Sequence, residues 1–173
     1  MRSELDIGLV EGHVVHSDLV VRKAIEDQLV LICGRSHPFF GRRSIRPEEL
    51  KGQPLILREE GSGTRAQLEE QLKACGVEYE IQWVCNNTEA IQSAVIHGFG
   101  VSVISQRMVQ EEWHKGTLWA CKIEEIDLSR NFLLVHHKNK YMFDLFTKFY
   151  QACLEFGEQD ALLSGGNQKR LTV

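Results

Sequence analysis

The glycine-rich segment from Glu60 to Arg65 contains the residue types best suited to binding a small molecule. It lies between a predicted strand and a predicted helix start, where backbone N–H groups are free and the helix dipole favours negative charge. Ser62 and Thr64 offer hydroxyl groups, and Gly63 lets a ligand approach the backbone closely. Arg65 can pair with a carboxylate or a sulfate-like group. The spacing leaves open the alternative that Ser62 or Thr64 only caps the helix while Arg65 faces solvent.

Two further segments are candidates for ligand contact. Asn86-Asn87-Thr88-Glu89 follows a strand pattern and begins a helix, so Thr88 lies at a second terminus that favours anions; capping alone also explains this pattern. Val10-Glu11-Gly12 ends an apolar strand with a carboxylate and a glycine, and either a hinge or a simple turn fits that pattern. Thr88 is therefore a candidate contact, and the pattern at Glu11 does not decide between a hinge and a turn.

Catalytic and metal chemistry are not predicted. The seven histidines include His13 with His16 and the adjacent His136 and His137, but no acidic or cysteine partners complete a ligand set at metal spacing. The sequence has no G-x-S-x-G nucleophile elbow, and the Glu60–Arg65 loop does not match the Walker A pattern. We therefore predict a binding module with no cofactor and no enzymatic activity.

An alternation of strand and helix patterns positions the loop. Apolar runs predict strands over Pro54–Arg58, Glu80–Cys85 and Val101–Ile104, and amphipathic spacing predicts a helix over Thr64–Cys75 and another that begins at Asn87 or Thr88. Strands and helices alternating at this spacing indicate a parallel sheet with helical crossovers.

The flanking regions have a different character. Asp6–Val10 is a short apolar run typical of a strand covered on both faces, as in a parallel sheet. Two strands separated by the polar Glu26-Asp27-Gln28 are predicted next, and two more strands and a long helix close the chain. The predicted ranges are Leu19–Arg22, Leu29–Gly34, Leu118–Ile123, Phe132–His136 and Tyr141–Phe156, with a loosely ordered tail from Gly157 to Val173.

Composition limits the class of protein. The chain has 173 residues, of which 43% are apolar and 25% charged, values typical of globular domains. No apolar run is long enough to cross a bilayer, and the first residues lack the pattern of a secretory signal. With a net charge of −4 and no basic tract, nucleic-acid binding by this segment itself is not expected.

Cysteine usage indicates the redox compartment. The five cysteines are far apart, form no C-x-x-C pair and cannot all pair internally. Reduced thiols used as small core residues in a cytoplasmic protein explain this pattern better than a disulfide framework.

The order of these motifs resembles the effector-binding domain of LysR-type bacterial transcription regulators. The resemblance rests on five stretches: Leu5–Val10; Gln28–Ile32 with Ser36-His37-Pro38-Phe39; Leu50–Ile56; Glu60–Arg65; and His97–Ser105. They occur in the family's order and spacing from residue 4 to about residue 156.

The resemblance implies an α/β fold of two lobes similar to type 2 periplasmic binding proteins, with lobe I truncated. Lobe I would comprise residues 1–13 and 116–157, lobe II residues 14–115, and the tail residues 158–173. The chain would be the sensing domain of a regulator, and a small polar or anionic effector would bind in a cleft between the lobes. The matching contact positions are Ser62, Gly63 and Thr64, with Glu11 at the hinge and Thr88 as a weaker match. Glu11 departs from the small or hydroxyl residue of many relatives, so it would exclude anions or recognise an ammonium group.

The resemblance also implies missing parts. Family members begin with a winged helix-turn-helix, so contact with DNA would require a domain outside this chain. They also carry a β-α-β-α unit before the first strand matched here, so the facing wall of the pocket would be absent and effector binding weakened. Exposed apolar surface and a sheet edge on lobe I predict self-association as a dimer or higher oligomer.

Two alternatives use the same fold. A solute-binding receptor of a transport system would need an export signal, and a small enzyme would need an acid/base or nucleophile set in the cleft. Neither feature is found in the sequence, and the effector's identity is not readable from it.

Overall fold

The computed structural model describes residues 5–12 and 14–167. Its elements are, in order, β1 (Gly8–Glu11), β2 (Leu19–Gly34), β3 (Ser44–Ile45), β4 (Pro54–Leu57), α1 (Gly63–Ala74), β5 (Glu80–Val84), α2 (Thr88–Ile96), β6 (Ser102–Ser105), α3 (Gln106–His114), β7 (Leu118–Ile123), β8 (Ser129–His137) and α4 (Asp144–Asn167). A 3-10 turn, Pro47–Leu50, lies between β3 and β4. Within the described ranges, no helix combines the length and apolarity that a membrane span needs.

The chain forms two compact units. Unit 1 comprises residues 1–27 and 130–173, and unit 2 comprises residues 28–129. The sequence-based boundaries, near residues 13 and 115, differ from these. The chain passes from one unit to the other between Asp27 and Gln28, inside β2, and returns between Ser129 and Arg130.

Strand β2 explains the shifted boundary. The prediction of two strands separated by Glu26-Asp27-Gln28 was wrong, because β2 runs without interruption for 16 residues. The side chain of Asp27 is fully buried and pairs with Arg130 at 2.7 Å. Because its charge is paired, Asp27 does not end the strand. Its partner Arg130 lies far away in the sequence, so a local sequence pattern does not indicate the pairing.

Unit 1 is built from β1, the first part of β2, β8 and α4. Strand β1 pairs antiparallel with β8, which also pairs with β2. The expectation that β1 belongs to a parallel sheet covered on both faces was therefore wrong; its residues alternate between half-buried and exposed. Helix α4 packs Phe146 and Tyr150 against Ala24 and Leu134 to form the core of this unit.

Unit 2 contains the larger part of the core. The second part of β2 pairs antiparallel with β6 and β7, and β7 pairs with β3 in parallel. Strands β4 and β5 form a separate parallel pair, as the strand–helix alternation predicts. Helix α3 was not predicted; its buried contact is Val109.

Strand β5 is an edge of the β4–β5 pair. Its sequence Glu-Ile-Gln-Trp-Val is exposed at all five positions. Ile81, Trp83 and Val84 are 42%, 46% and 53% exposed, and the Trp83 ring stacks on Phe99 with centroids 5.3 Å apart. The apolar pattern of this strand therefore does not correspond to burial.

Helix α4 differs from its prediction at both ends. It begins at Asp144 rather than Tyr141 and continues to Asn167, so the predicted loose tail is helical from Gly157 to Asn167. Residues 168–173 of that tail lie outside the described part of the chain. Gly157 is buried, and a Cβ atom there would lie 1.7 Å from the carbonyl oxygen of Ala24. This glycine permits close packing of α4 on β2 and does not end the helix.

Candidate functional site

One edge of unit 2 brings together the starts of α1, α2 and α3. Strands β4 and β5 are parallel, and Leu55 bridges Val101 in the parallel sense just before β6. The carboxyl ends of these strands therefore meet at one edge, and the helix that follows each strand begins there. In open α/β sheets, ligands bind outside this edge. The loops at Ser62 and Thr88 thus share an edge, as the sequence alternation indicates.

Ser62 occupies the N-cap position of α1. Its backbone is extended, with φ −68° and ψ 127°, but its hydroxyl makes no capping hydrogen bond. The first helical bond runs from the N–H of Ala66 to the carbonyl of Ser62, at 3.0 Å. The N–H groups of Gly63 and Arg65 precede that bond, so neither donates a hydrogen bond within the helix. Together with the Ser62 hydroxyl they form a donor set suited to an oxyanion.

The glycines on either side of Ser62 have different roles. Gly61 has φ 86°, in the left-handed region that favours glycine. A Cβ atom there would meet nothing within 4 Å, so the dihedral angle and not the available space requires glycine. Gly63 is exposed and leaves the first turn of α1 accessible.

Thr64 lies on the inner side of α1. It is 6% exposed and shares the buried face of the helix with Leu68 and Leu72. The sequence predicts a hydroxyl presented to a ligand at this position. The structure instead places that side chain toward the core.

Arg65 binds within its own helix. Its Nε lies 2.8 Å from Glu69 Oε1, and its Nη1 lies 3.4 Å from the carbonyl oxygen of Arg58. The hydrogen bond to Glu69 raises the pKa of Arg65. Burial and a hydrogen bond to the same carboxylate raise the pKa of Tyr79. The i, i+4 spacing of Arg65 and Glu69 is a signal that the sequence analysis missed.

Thr88 is the first residue of α2 and is half-buried. The cap of this helix is Asn87, whose Oδ1 accepts a hydrogen bond from the Ala90 N–H at 2.8 Å. The N–H of Cys85 donates to the carbonyl of Leu57 at 2.9 Å. This hydrogen bond connects the segment before α2 to the end of β4. The capping explanation thus holds for Asn87, and Thr88 adds a hydroxyl at the same edge.

The start of α3 lies at the same edge and was not predicted from the sequence. Ser105, 7% exposed, caps this helix, and its hydroxyl accepts a hydrogen bond from the Arg107 N–H at 3.2 Å. Ser105 follows the apolar run of β6 directly, which is the N-cap signal that would have identified α3.

Glu11 belongs to unit 1 and is not a free carboxylate. Its Oε2 lies 2.7 Å from Arg130 Nη1, and the Nε of Arg130 lies 2.7 Å from Asp27 Oδ2. The guanidinium also lies 5.4 Å from the centroid of the Phe132 ring. The side chain of Glu11 is 34% exposed, whereas those of Arg130 and Asp27 are 9% and 0% exposed. The charge of Glu11 is therefore largely compensated before any effector is bound.

The structure thus groups five of the predicted contacts and separates one from them. Ser62, Gly63, Thr64 and Arg65 belong to the first turn of α1 in unit 2, and Thr88 begins α2 at the same edge. Glu11 belongs to the other unit.

The thiol and metal chemistry of the described residues is limited. All five cysteines are free, and burial raises the pKa of Cys33 and Cys121 to about 12, which keeps both thiols protonated. Cys75 is exposed, so the prediction of core thiols fails there. Over residues 5–12 and 14–167, no three His, Cys, Asp or Glu residues are grouped to hold a metal. His13, named in the sequence analysis, falls outside these residues.

Comparison with protein families gives one match over most of the chain. Residues 1–158 match the LysR substrate binding domain. The chain is 32% identical over 149 residues to YeiE, an uncharacterized HTH-type transcriptional regulator of Escherichia coli, and covers 50% of that protein. It is 29% identical over 146 residues to the HTH-type transcriptional regulator CysL of Bacillus subtilis, of which it covers 49%. The chain thus spans about half the length of the curated relatives it matches.

Solved structures match the α/β fold over most of the chain. The Synechocystis CcmR regulatory domain in complex with 2-PG superimposes with a TM-score of 0.81 and 26% identity, over 90% of this chain and 74% of that one. The effector binding domain of QuiR in complex with shikimate gives 0.77 and 17% identity, over 91% of this chain and 74% of that one. The fold expected from the sequence, similar to type 2 periplasmic binding proteins, is confirmed.

Proposed function

The chain belongs to the LysR substrate-binding domain family, and on that premise we propose that it senses a small polar or anionic metabolite at the edge where α1 and α2 begin. The domain is the effector-binding part of LysR-type transcription regulators, which are not enzymes as a family. The proposal concerns the position of the contacts and the chemistry of the effector.

The observation that best supports the proposal is the position of the Ser62 hydroxyl group at the start of α1. This hydroxyl lies at the N-cap without capping the helix, beside the N–H groups of Gly63 and Arg65, which precede the first helical bond. Such a group of donors at the positive end of a helix favours an oxyanion. Thr88 at the start of α2 supports a second contact to the same ligand.

Arg65 has a supporting role in this proposal. Its guanidinium is held by Glu69 and by the carbonyl of Arg58 and fixes the first turn of α1. We expect the charge of the effector to be recognised by backbone N–H groups and Ser62, so carboxylate or other oxyanion groups fit without a free arginine.

A thermal-shift screen followed by calorimetry tests the proposal. The first probes are 2-PG and shikimate, which CcmR and QuiR bind, together with amino acids, aromatic acids and sulfur oxyanions. We expect at least one anionic probe to raise the melting temperature, and an Arg65→Ala variant to retain that shift relative to its own lower baseline. If no anion binds in the screen, the proposed effector site is wrong. If Arg65→Ala abolishes binding, the side chain of Arg65 is itself an effector contact.

Control of DNA binding by the complete regulator follows from the same premise. The effector would shift the arrangement of an attached DNA-binding dimer, which requires a domain beyond the residues matched here. The protein would act in the cytoplasm, with no role for a membrane. A reporter gene placed under the control of the complete regulator tests this, because the calorimetric hit should change its expression.

Self-association through unit 1 is the second part of the proposal. Strand β1 pairs with β8; Leu9 within β1 is 54% exposed, and Leu5 before it is 76% exposed. Apolar side chains next to a strand edge favour burial against another chain. Light scattering across a concentration series should show a mass that rises above the monomer, whereas a constant monomer mass would exclude self-association.

A further inference from the structure

The chain leaves unit 2 through residues 127–129, which we call the return segment. Its middle residue, Leu128, is 3% exposed and belongs to the same buried cluster as Leu68 of α1. The carbonyl oxygen of Leu128 accepts a hydrogen bond at 3.0 Å from the N–H of Leu29, the second residue of unit 2. The return segment is therefore bonded to β2 at the point where the chain has just entered the same unit.

A side chain of α1 also binds the return segment. The Nε2 of Gln67 lies 2.8 Å from the carbonyl oxygen of Ser129 and 3.4 Å from that of Asp127. The carboxylate of Asp127 accepts hydrogen bonds from the N–H and the hydroxyl of Ser129, at 2.8 and 2.6 Å, and these bonds lower the pKa of Asp127. The bonds between Asp127 and Ser129 shape the segment locally, whereas Gln67 attaches it to a helix that lies 60 residues earlier in the chain.

Gln67 connects the return segment to the helix that begins at Ser62. It lies five residues after Ser62 on α1, about 7 Å along the helix axis. We propose that Gln67 is a positioning residue that couples the order of the first turns of α1 to the order of the return segment. Hydrogen bonds between two elements make the ordering of one favour the ordering of the other.

The coupling gives the effector site a route to the residues that follow. An oxyanion bound at the start of α1 would order the first turns of the helix and, through Gln67, the return segment. Arg130 follows that segment directly and holds the buried carboxylate of Asp27 in unit 1. This role in sensing rests on the effector site proposed above, whereas the coupling itself is a property of the domain without effector.

The chemistry of the amide explains why glutamine suits this position. Its NH₂ group has two N–H donors, one for each of the two carbonyl oxygens. An ionised glutamate of nearly the same size has no donor and would place a negative charge against both oxygens. Gln67→Ala therefore removes the contact, and Gln67→Glu removes it while keeping the length of the side chain.

Amide hydrogen exchange followed by NMR tests the contact. Both variants should speed exchange of the Ser129 and Leu29 amides about 3- to 10-fold, the value of roughly one hydrogen bond. The N–H of Lys122, which donates to the Arg43 carbonyl at 3.0 Å elsewhere in unit 2, should exchange at the wild-type rate. Unchanged exchange at Ser129 and Leu29 overturns the proposal. Equal acceleration at Lys122 also overturns it, because the loss of stability is then general.

The matched control for the contact is Gln71→Ala. It removes the same side chain one turn further along α1, so exchange at Ser129 and Leu29 should remain at the wild-type rate. Acceleration equal to that in Gln67→Ala would show that any truncation of α1 has this effect and would overturn the role of Gln67.

A double-mutant cycle measures the coupling. Ala66 is exposed on α1, and Ala66→Gly favours opening of the first turns of the helix. It should speed exchange at Ser129 and Leu29 in the wild-type background but not in the Gln67→Ala background. Equal effects in both backgrounds overturn the coupling. No effector is present in this cycle, so its failure leaves the effector site standing, whereas an anion screen without binders bears on the effector site alone.

Discussion

At the scale of single residues, Ser62 gives the most direct test of the effector site because its hydroxyl takes no part in capping α1. We predict that Ser62→Ala lowers the affinity for the calorimetric hit about 5- to 10-fold, the value of roughly one hydrogen bond. The free energy of unfolding should change by less than about 0.5 kcal/mol, because no capping bond is lost.

The matched control for Ser62→Ala is Ser93→Ala. Ser93 is exposed on α2 and carries the same hydroxyl away from the helix starts. Calorimetry on both variants measures the affinity, and chemical denaturation measures the stability. Equal affinities in Ser62→Ala and wild type would exclude the hydroxyl as a contact.

Arg130 is the residue whose loss should cost most stability in unit 1. Arg130→Met would leave the fully buried carboxylate of Asp27 without its cation, and we expect the free energy of unfolding to fall by about 3–5 kcal/mol. Urea denaturation measures this loss. Adding Asp27→Asn should recover part of the stability because the buried charge is then absent.

Glu11→Gln serves as the comparison for Arg130→Met. Its side chain remains 34% exposed, and Asp27 would still hold Arg130, so the stability loss should be clearly smaller. A loss from Glu11→Gln equal to that from Arg130→Met would show that the outer carboxylate matters as much as the buried one.

His37 should make folding stability depend on pH. Its Nδ1 accepts the Phe39 N–H at 3.2 Å, and its Nε2 lies 3.1 Å from Gln53 Oε1, an arrangement that fits a neutral ring protonated at Nε2. Burial lowers the pKa of His37 from its usual 6.5. As the pH falls, His37 therefore takes up a proton in the unfolded chain before it does so in the folded protein. The contribution of His37 to the free energy of unfolding is present above pH 6.5 and declines as the pH falls below that value.

Thermal unfolding at several values of pH measures this dependence. The slope of melting temperature against pH below 6.5 should be smaller in His37→Asn than in wild type. Ser93→Ala, at an exposed position without a titratable side chain, is the control and should retain the wild-type slope. Parallel slopes for all three proteins would show that His37 does not titrate differently on folding.

At the scale of the elements, Gly157 decides how closely α4 lies on β2. Alanine usually stabilises a helix interior by about 1 kcal/mol relative to glycine. Here the added Cβ would lie 1.7 Å from the Ala24 carbonyl oxygen, so we predict that Gly157→Ala destabilises by about 1–3 kcal/mol through overpacking. Chemical denaturation measures the change, and a stabilised variant would contradict the close packing.

Local and distant interactions explain which elements the sequence predicts. Strands β4 and β5 and helices α1 and α2 agree with prediction within a residue or two, because turns, caps and periodicity specify them locally. The edge shared by Ser62 and Thr88 follows from the same alternation. The continuity of β2 depends on the pairing of Asp27 with Arg130, which lies 103 residues away, and the length of α4 depends on its contact with Ala24. Neither partner is visible in a local window.

At the scale of the whole molecule, the two units have cores of unequal size. Unit 2 contains two extended clusters of buried apolar side chains, whereas the cluster in unit 1 centres on Ala24, Leu134, Phe146 and Tyr150. The smaller core should be lost first under denaturing conditions. We therefore expect unit 1 to open at a lower urea concentration than unit 2.

The free thiols measure this order of unfolding. Cys153 packs against the core of unit 1, while Cys33 and Cys121 are buried in unit 2. Alkylation followed by mass spectrometry should modify the exposed Cys75 without urea, then Cys153, and finally Cys33 and Cys121. Simultaneous modification of the three inner thiols would indicate a single cooperative transition.

The exposed strand β5 has a consequence for how the protein behaves in concentrated solution. Its backbone pairs with β4 on one side, and its five residues include Ile81, Trp83 and Val84 with Glu80 as their charged member. Natural edge strands commonly resist aggregation through lysine, proline or a bulge on the edge, and β5 has such a bulge, because Leu55 pairs with Ile81 and Ile56 with Trp83, which leaves Gln82 as an extra residue. The bulge should therefore keep this apolar edge from pairing with β5 of another molecule, and deletion of Gln82 should lower the colloidal stability of the domain.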